Sequence, residues 1–193
     1  MAIKVAIIGL GIMGRRMLAH MRIHKKFEPD YLWDPDQSAC QKANVTDPKS
    51  YIMDSGSEAI RKADLVYLAC PPAVREPYAL EAASAGKALF LEKPFGINID
   101  DSARLMARLK SCGVPVAVNF TQASGIVLSD LLDAKKRGEM GDLLGVDIVV
   151  TYPNWPRQWQ KDADWLRFRA EGGMTREVIS HFLFFSERVL GPL

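Results

Sequence analysis

The sequence predicts a doubly wound α/β domain with a mainly parallel sheet over residues 1–120, followed by the start of a second domain over residues 121–193. Short β-branched runs alternate with amphipathic segments of about 10 to 15 residues in the first domain, a pattern typical of parallel strands joined by crossover helices. A glycine-rich turn separates the first run from the first amphipathic segment. After residue 120 the alternation ends, which indicates a change of domain.

Each element of the first domain has its own local signal. The predicted strands cover apolar runs at 3–8, 27–33, 64–69, 88–92 and 114–119. The predicted helices lie between them, at 12–22, 36–43, 55–62, 74–85 and 99–112. Ser55 and Glu58 have the spacing of a capping box. Asn98 or Asp100 can cap the helix at 99–112, and a glycine follows each of the last two helices.

The second domain contains few predicted elements. Helices are predicted over 126–137 and 174–190, with a strand over 143–152 and a Trp/Pro-rich loop between them. One strand and two helices cannot complete a core, because a lone strand leaves its backbone groups without partners. We therefore expect this domain to be completed by further residues of a longer chain or by another chain.

Composition argues against several classes of protein. Apolar residues make up 48% and charged residues 25% of the sequence, as in average soluble globular domains. No apolar run reaches the roughly 18 to 20 residues of a membrane-spanning helix. The formal net charge is +2, and charges of both signs alternate along the chain. Neither a nucleic acid nor a membrane is therefore expected as a partner.

The cysteines give no sign of a disulfide framework or a metal centre. Cys40, Cys70 and Cys112 form no CxxC pair. An odd number without paired spacing fits neither disulfide pairing nor zinc binding. We expect reduced thiols in a cytoplasmic protein without a metal site.

The glycine-rich turn has the GxGxxG pattern, Gly9-Leu10-Gly11-Ile12-Met13-Gly14, between a predicted strand and a predicted helix. The first glycine permits a tight turn, the second lets a pyrophosphate approach the backbone, and the third lets the helix pack on the strand. Asp34 lies 20 residues beyond Gly14, at the end of the next strand, where a carboxylate can accept hydrogen bonds from ribose hydroxyls. The combination predicts a dinucleotide site.

The predicted cofactor is NAD in preference to NADP. Asp34 would repel a 2′-phosphate, and no arginine follows it directly. NADP is the second candidate. An alternative without a nucleotide is that the glycines form only a tight turn and Asp34 caps the helix that follows it.

Lys93 lies between Glu92 and Pro94 at the end of the strand predicted over 88–92. Ligands of open α/β sheets bind at this edge. A lysine there could orient a substrate hydroxyl or help to deprotonate it, if burial and a positive nicotinamide ring lower its pKa. A surface lysine beside a turn proline is the alternative that these residues alone leave open.

Glu177 and His181 are four residues apart on the last predicted helix, so they share a face. A carboxylate in that position can hold a histidine in one tautomer. A packed core histidine is the alternative, since His181 directly precedes the apolar run FLFF.

The Trp/Pro-rich loop and its neighbourhood carry further candidate substrate contacts. They are the indole rings and guanidinium groups of Trp155, Trp159, Trp165, Arg157, Arg167 and Arg169. Aromatic walls and arginines could hold a sugar or an acid. The alternative is that the rings pack over the incomplete sheet.

Taken in order, these segments resemble the glucose-fructose oxidoreductase, inositol dehydrogenase and MocA (Gfo/Idh/MocA) family. The resemblance rests on VAIIGLGIMG, LVYLACPPAVREPYALEAASAGKALFLEKPF, VPVAVNF and EGGMTREVISHFLFF. Its most specific part is EKP after a helix that contains AGK. It implies a Rossmann domain followed by an α+β domain with an open, mostly antiparallel sheet, here incomplete. That sheet usually forms a homo-oligomer interface.

The resemblance also implies an activity and a set of residues. The activity is that of an NAD(P)-dependent oxidoreductase, which transfers a hydride between the nicotinamide cofactor and a sugar, polyol or related cyclic hydroxy compound. The implied catalytic residues are Lys93, His181 and Glu177. The implied cofactor contacts are Gly9, Gly11, Ile12, Met13, Gly14, Asp34, Cys70, Pro71, Glu92 and Lys93. The implied substrate contacts are Lys93, Asn119, Trp155, Arg169 and His181.

Three residues depart from the pattern of that family. Glu177 replaces the usual aspartate before His181, Arg75 replaces the usual histidine after the Pro-Pro turn, and Phe184 replaces an aspartate. These departures bear on the substrate more than on the cofactor. They support a second hypothesis, that the protein is a non-catalytic NAD(P)-binding regulator or a truncated member of the family.

Overall fold

The structure is a computed structural model that describes residues 2–142, 144–160, 163–170 and 172–192. The chain divides into two compact units, Met1–Asn119 and Phe120–Leu193. Each unit has its own set of contacts, and the two are described separately.

Six strands, all within the described part of the chain, form the sheet of the first unit in the order β3-β2-β1-β4-β5-β6. They are β1 (Ile3–Ile8), β2 (Phe27–Trp33), β3 (Tyr51–Ile52), β4 (Leu65–Leu68), β5 (Ala88–Leu91) and β6 (Val116–Val118). All neighbouring strands pair in parallel. The order reverses between β1 and β4, and this switch point opens a crevice at the carboxyl ends of the two strands.

The helices lie between the strands as the sequence predicts. They are α1 (Ile12–Ile23), α2 (Gln37–Thr46), α3 (Gly56–Lys62), α4 (Arg75–Ser84) and α5 (Ile99–Cys112). The doubly wound α/β prediction is therefore confirmed. The short strand β3 was not predicted, because two residues carry no periodic signal.

Side-chain caps set several of the helix starts. The Ser55 hydroxyl accepts from the Glu58 N–H at 3.1 Å, which is one half of the predicted capping box, while the Glu58 carboxylate accepts from the Asp54 N–H at 3.2 Å and not from that of Ser55. Of the two caps considered for α5, Asn98 is the one used: its side-chain oxygen accepts from the backbone N–H groups of Asp100 and Asp101. Polar residues at helix starts thus gave correct element boundaries.

Both faces of the sheet are buried. Along β1, Val5 and Ile7 pack with α1 and α2, while Ala6 and Ile8 pack with α3, α4 and α5. All four side chains are 0% exposed. This burial on both faces explains why β1 reads as a continuous apolar run instead of an alternating one.

The second unit contains α6 (Ile126–Lys136), the π-helical turn Thr175–Ile179 and α7 (Ser180–Leu190), with short 3-10 turns. The strand predicted over 143–152 is wrong for residues 144–152, which form no strand; Leu143 lies outside the described residues. Leu144 is 98% and Val149 85% exposed, so these two side chains have little cover from the described residues. A β-branched segment without a pairing partner has no reason to become a strand.

The antiparallel sheet expected for the second domain is thus absent from the part of the second unit that the structure describes. It stays a prediction for the complete protein. Among the described residues, no helix is long and apolar enough to cross a bilayer.

An ion-pair network ties α1 to the end of α2. Arg22 Nε donates to Asp47 at 2.6 Å, and Arg22 Nη2 donates to Asp30 at 3.0 Å. The Ser50 hydroxyl also donates to Asp47, at 2.7 Å. Burial alone would raise the pKa of Asp47, but hydrogen bonds from Ser50 and Arg22 outweigh it and hold the pKa below its ordinary value.

We expect Asp47→Asn to lower the free energy of unfolding by about 2 kcal/mol at pH 7. Because the folded-state pKa of Asp47 is lowered, this contribution is fully present above the unfolded pKa of about 4 and declines as the pH falls below it. Urea unfolding at pH 7 and pH 3 measures both effects. Asp30→Asn is the control with a smaller expected loss, since Asp30 is 24% exposed and Asp47 is 7% exposed. An Asp47 effect of equal size at both pH values would contradict the assignment.

Candidate functional site

The loop between β1 and α1 is shaped by two close approaches. Gly9 has a φ of +95°, and a Cβ on it would lie 2.5 Å from the backbone nitrogen of Cys70. A Cβ on Gly14 would overlap the carbonyl oxygen of Gly9. At Gly11, by contrast, no described atom lies within 4 Å of the Cβ position. The first and third glycines are thus needed for packing, and the second borders open space.

The N-terminus of α1 faces that open space without a side-chain cap. Gly11 is its N-cap residue, and no described side chain makes a capping hydrogen bond there. Ile12 and Met13 follow as the first helical residues. Uncapped N–H groups at a helix start, with the positive end of the helix dipole, suit a phosphate. These residues fit a nucleotide pyrophosphate.

Asp34 lies beyond the end of β2 and contacts the glycine loop. One carboxylate oxygen accepts from the Leu10 N–H at 2.6 Å, and the other accepts from the Asp36 N–H at 2.8 Å. Asp36, not Asp34, caps α2 through the Ser38 N–H. A carboxylate has about four acceptor sites, so capacity for ribose hydroxyls remains. Asp34 therefore combines a structural contact with the capacity to bind a ribose.

Cys70 and Pro71 follow β4 on the other side of the switch point. Cys70 is 7% exposed, and burial raises the pKa of its thiol, which favours the protonated form. Its backbone lies against Gly9, as the close approach described above requires. The two residues therefore border the same crevice as the glycine loop.

The Glu92 side chain is held by both neighbouring strands at the end of β5. Glu92 is 4% exposed, and its Oε1 accepts from the Tyr67 hydroxyl and from Asn119 Nδ2, the latter at 2.6 Å. Burial and then the charge of Glu92 raise the pKa of Tyr67, so the phenol keeps its proton and donates it to this bond. Asn119, predicted to contact substrate, has one amide hydrogen committed to Glu92. Lys93 follows Glu92 directly and is half-buried.

Arg75, the first residue of α4, is 2% exposed. Its guanidinium contacts the segment that follows β4 and the segment that follows β5. Its Nη2 donates to the Cys70 carbonyl at 2.7 Å, and its Nη1 donates to the carbonyls of Glu92 and Pro94. Desolvation lowers the pKa of its guanidinium. In the sequence, Arg75 stands out only as a departure from a family pattern, and that departure is the one local sign of this network.

Glu177 and His181 are both buried in the second unit, at 4% and 8% exposure. Glu177 lies in the π-helical turn and His181 in the first turn of α7. The His181 ring meets Phe120 edge-on, with ring centroids 5.6 Å apart. Phe184 stacks on Phe120 at 4.4 Å. The imidazole is therefore held in place, and its part in catalysis stays a prediction.

The Trp/Pro-rich loop is organised around Arg157. Its guanidinium carbon lies 5.1 Å from the Tyr152 ring centroid and 4.8 Å from that of Trp159. Trp155 is half-buried, and Arg169 is exposed with its carbonyl accepting from Arg176 Nη1 at 3.3 Å. The aromatic residues thus hold an arginine, while the substrate contacts predicted for Trp155 and Arg169 stay predictions.

Among the described residues, no group of three or more His, Cys, Asp or Glu side chains could hold a metal ion. The residues at the switch point instead fit a dinucleotide. The glycine loop offers open space and N–H donors, Asp34 offers acceptors, and Lys93 lies at the adjoining strand end.

Comparisons with known proteins match this geometry. A family model described as the Gfo/Idh/MocA oxidoreductase family, with an NAD-binding Rossmann fold, matches residues 3–120. The curated protein dTDP-3,4-didehydro-2,6-dideoxy-alpha-D-glucose 3-reductase from Streptomyces violaceoruber is 28% identical over 199 residues, which covers 98% of this chain and 55% of that protein. The chain spans about half the length of this relative.

Solved structures show the same fold. The WlbA dehydrogenase from Bordetella pertussis, in complex with NADH and UDP-GlcNAcA, matches 99% of this chain and 58% of that chain, with a TM-score of 0.86 and 22% identity. GenD2 from gentamicin A biosynthesis, in complex with NAD, matches 98% of this chain and 54% of that chain, with a TM-score of 0.78 and 19% identity. At these identities the likeness concerns the fold.

Proposed function

Since the chain belongs to the Gfo/Idh/MocA oxidoreductase family with its NAD-binding Rossmann fold, we propose that the protein transfers a hydride between NAD and a ring carbon of a sugar, polyol or related cyclic hydroxy compound. One observation carries this proposal. The glycine loop, Asp34 and Lys93 all lie at the carboxyl edge of one parallel sheet, around its switch point. Residues suited to bind a dinucleotide and a lysine suited to transfer a proton thus border the same crevice.

In this proposal the first unit binds the cofactor. The N–H groups at Gly11, Ile12 and Met13 hold the pyrophosphate, and the Asp34 carboxylate accepts hydrogen bonds from the adenosine ribose. Bound NAD supplies the hydride acceptor. Cys70 and Pro71 line the opposite side of the crevice, and Glu92 fixes the strand end that presents Lys93.

Lys93 acts on the substrate hydroxyl. In this proposal the Lys93 side chain orients that hydroxyl and takes part in moving its proton. His181 is the proposed partner acid or base, with Glu177 holding its tautomer. Sugar nucleotides are the first substrate probes. One relative is named as a reductase of a dTDP-linked sugar, and a protein of similar fold was solved in complex with UDP-GlcNAcA.

A non-catalytic nucleotide-binding protein is the second candidate. Phe184 stands where the family usually has an aspartate, and it stacks on Phe120 without offering a polar group. Saturable NADH binding without turnover of UDP-GlcNAcA, other sugar nucleotides or cyclic polyols in the complete protein would favour this second candidate. Turnover of any of them would dismiss it.

We expect Asp34→Ala to weaken NADH binding about tenfold and to reduce the preference for NADH over NADPH. The carboxylate accepts from the ribose hydroxyls of NAD and repels a 2′-phosphate, so its removal affects the two nucleotides in opposite directions. Titration of each nucleotide, followed by nicotinamide fluorescence, measures both dissociation constants.

Asp36→Ala is the matched control for this experiment. It removes a nearby carboxylate that caps α2 through Ser38 and has no proposed contact with the ribose. The control should lower stability by about 1 kcal/mol and leave the NADH dissociation constant unchanged. If Asp34→Ala weakens NADH and NADPH equally, Asp34 acts only by supporting the glycine loop, and the ribose assignment is wrong.

A further inference from the structure

We propose that Arg75 is a positioning residue, which sets the backbone of Lys93 at a fixed place relative to the glycine loop. The inference rests on the proposed function, because it assigns Arg75 a part in presenting the lysine of that site. Arg75 has no proposed contact with the substrate hydroxyl or with the nicotinamide ring. It acts through the carbonyl groups of three other residues.

The contacts of Arg75 enclose Lys93 on both sides. Nη1 donates to the carbonyl of Glu92, which precedes Lys93, and to the carbonyl of Pro94, which follows it. One nitrogen thus fixes both carbonyls that flank the lysine, so the Lys93 Cα cannot shift without breaking a charge-assisted hydrogen bond.

The second nitrogen ties this turn to the cofactor side of the crevice. Nη2 donates to the Cys70 carbonyl at 2.7 Å. The Cys70 backbone lies against Gly9, where a Cβ would come within 2.5 Å of the Cys70 nitrogen. Arg75 is therefore part of a continuous path of contacts from the glycine loop to Lys93.

Although the Arg75 charge interacts with the Glu92 carboxylate, the Glu92 side chain has hydrogen-bond partners other than Arg75. Its carboxylate accepts from Tyr67 on β4 and from Asn119 beyond β6. Loss of Arg75 should therefore leave the strand end in place and free mainly the turn at Lys93 and Pro94. This separation makes a positioning role distinguishable from general stabilisation.

The chemistry of the side chain suits this task. A guanidinium group presents several N–H donors in a rigid fork, whereas a lysine ammonium is a single point charge. Two guanidinium nitrogens reach three carbonyls here, in a site that is 2% exposed. A lysine at this position would keep the charge but could not reproduce the fork.

The test measures how well bound NADH protects Lys93 from acetylation by acetic anhydride. Peptide mass spectrometry follows Lys93, with the exposed Lys42 of the same chain as the internal reference. In the unaltered chain we expect saturating NADH to slow Lys93 acetylation about tenfold, since a lysine presented to the cofactor is covered by it. The readout needs no substrate.

In Arg75→Met we expect NADH to bind with a dissociation constant within about threefold of the parent value, while its protection of Lys93 falls below about twofold. Guanidinium chloride at a low, non-denaturing concentration should restore protection, because the ion can occupy the space that the side chain vacates. Arg22→Met is the matched control. It removes a largely buried arginine that pairs with Asp30 and Asp47, and protection should stay at the parent value.

Equal protection of Lys93 in Arg75→Met and the parent overturns the positioning role. The positioning role is also overturned if Arg75→Met loses NADH binding to the same extent as it loses protection of Lys93, and if guanidinium restores neither. If Arg75→Met fails to fold, Arg75→Lys decides: retained NADH binding with lost protection supports the role, and parent-like protection overturns it. Failure of the parent chain to bind NADH at all overturns the proposed function, whereas NADH binding without protection of Lys93 in the parent overturns only the positioning role.

Discussion

Lys93→Met should lower kcat of the complete protein about 10³-fold on any accepted substrate, because it removes the group proposed to handle the hydroxyl proton. The change keeps the length and much of the apolar character of the side chain, so packing at the strand end is preserved. NADH should bind the variant with a dissociation constant within about fivefold of the parent value, since Lys93 is one of several proposed cofactor contacts and the phosphate and ribose contacts are elsewhere. Steady-state kinetics and fluorescence titration give the two quantities separately.

The control for this experiment is Lys87→Met. Lys87 directly precedes β5, at the opposite edge of the sheet from Lys93, and it is half-buried like Lys93, with its Nζ donating to the Arg61 carbonyl at 3.2 Å. Its kcat should equal that of the parent. A Lys93→Met variant with parent-like kcat would show that the lysine is a surface residue beside a turn proline, the alternative that the sequence left open.

Local signals predicted the first unit well because each depends on residues close together in the chain. Interactions between residues close in the sequence are enough to form the helix caps at Ser55 and Asn98 and to mark β1 as a strand. The GxGxxG motif is local in the same sense, and the loop conformation at Gly9 agrees with it. For such elements, sequence and structure express the same short-range physics.

Prediction failed where the outcome depends on distant partners. Residues 144–152 carry a strand pattern, yet the described part of the second unit offers no neighbouring strand for them. β3 forms for the opposite reason, because β2 supplies a ready edge for the pair Tyr51–Ile52. Strand formation is decided by pairing as much as by propensity.

The polar network around Arg75 shows the same limit for the site. The glycines and Lys93 could be found from motifs, but Arg75 and Tyr67 reach Glu92 across 17 and 25 positions of sequence. No spacing rule relates residues so far apart. These residues come into contact because the fold places the ends of β4 and β5 side by side.

Gly14→Ala should damage both the packing and the binding function of the glycine loop. The new Cβ would overlap the carbonyl oxygen of Gly9, which is backbone and cannot rotate away. Either α1 moves off β1 or the loop changes shape, and we expect about 2 kcal/mol of lost stability together with an NADH dissociation constant raised about 100-fold or more. Thermal unfolding and fluorescence titration measure the two losses.

Gly11→Ala separates binding from packing in the same loop. Gly11 has an ordinary φ of −63°, and no described atom lies within 4 Å of its Cβ position, so we expect a melting temperature close to that of the parent. Its methyl group would nevertheless occupy the space through which a pyrophosphate approaches the backbone, and NADH binding should weaken about tenfold. If Gly11→Ala binds NADH as tightly as the parent, the pyrophosphate does not lie on this loop. In that case the damage expected from Gly14→Ala would reflect helix packing alone, and the cofactor site would have to be placed elsewhere in the fold.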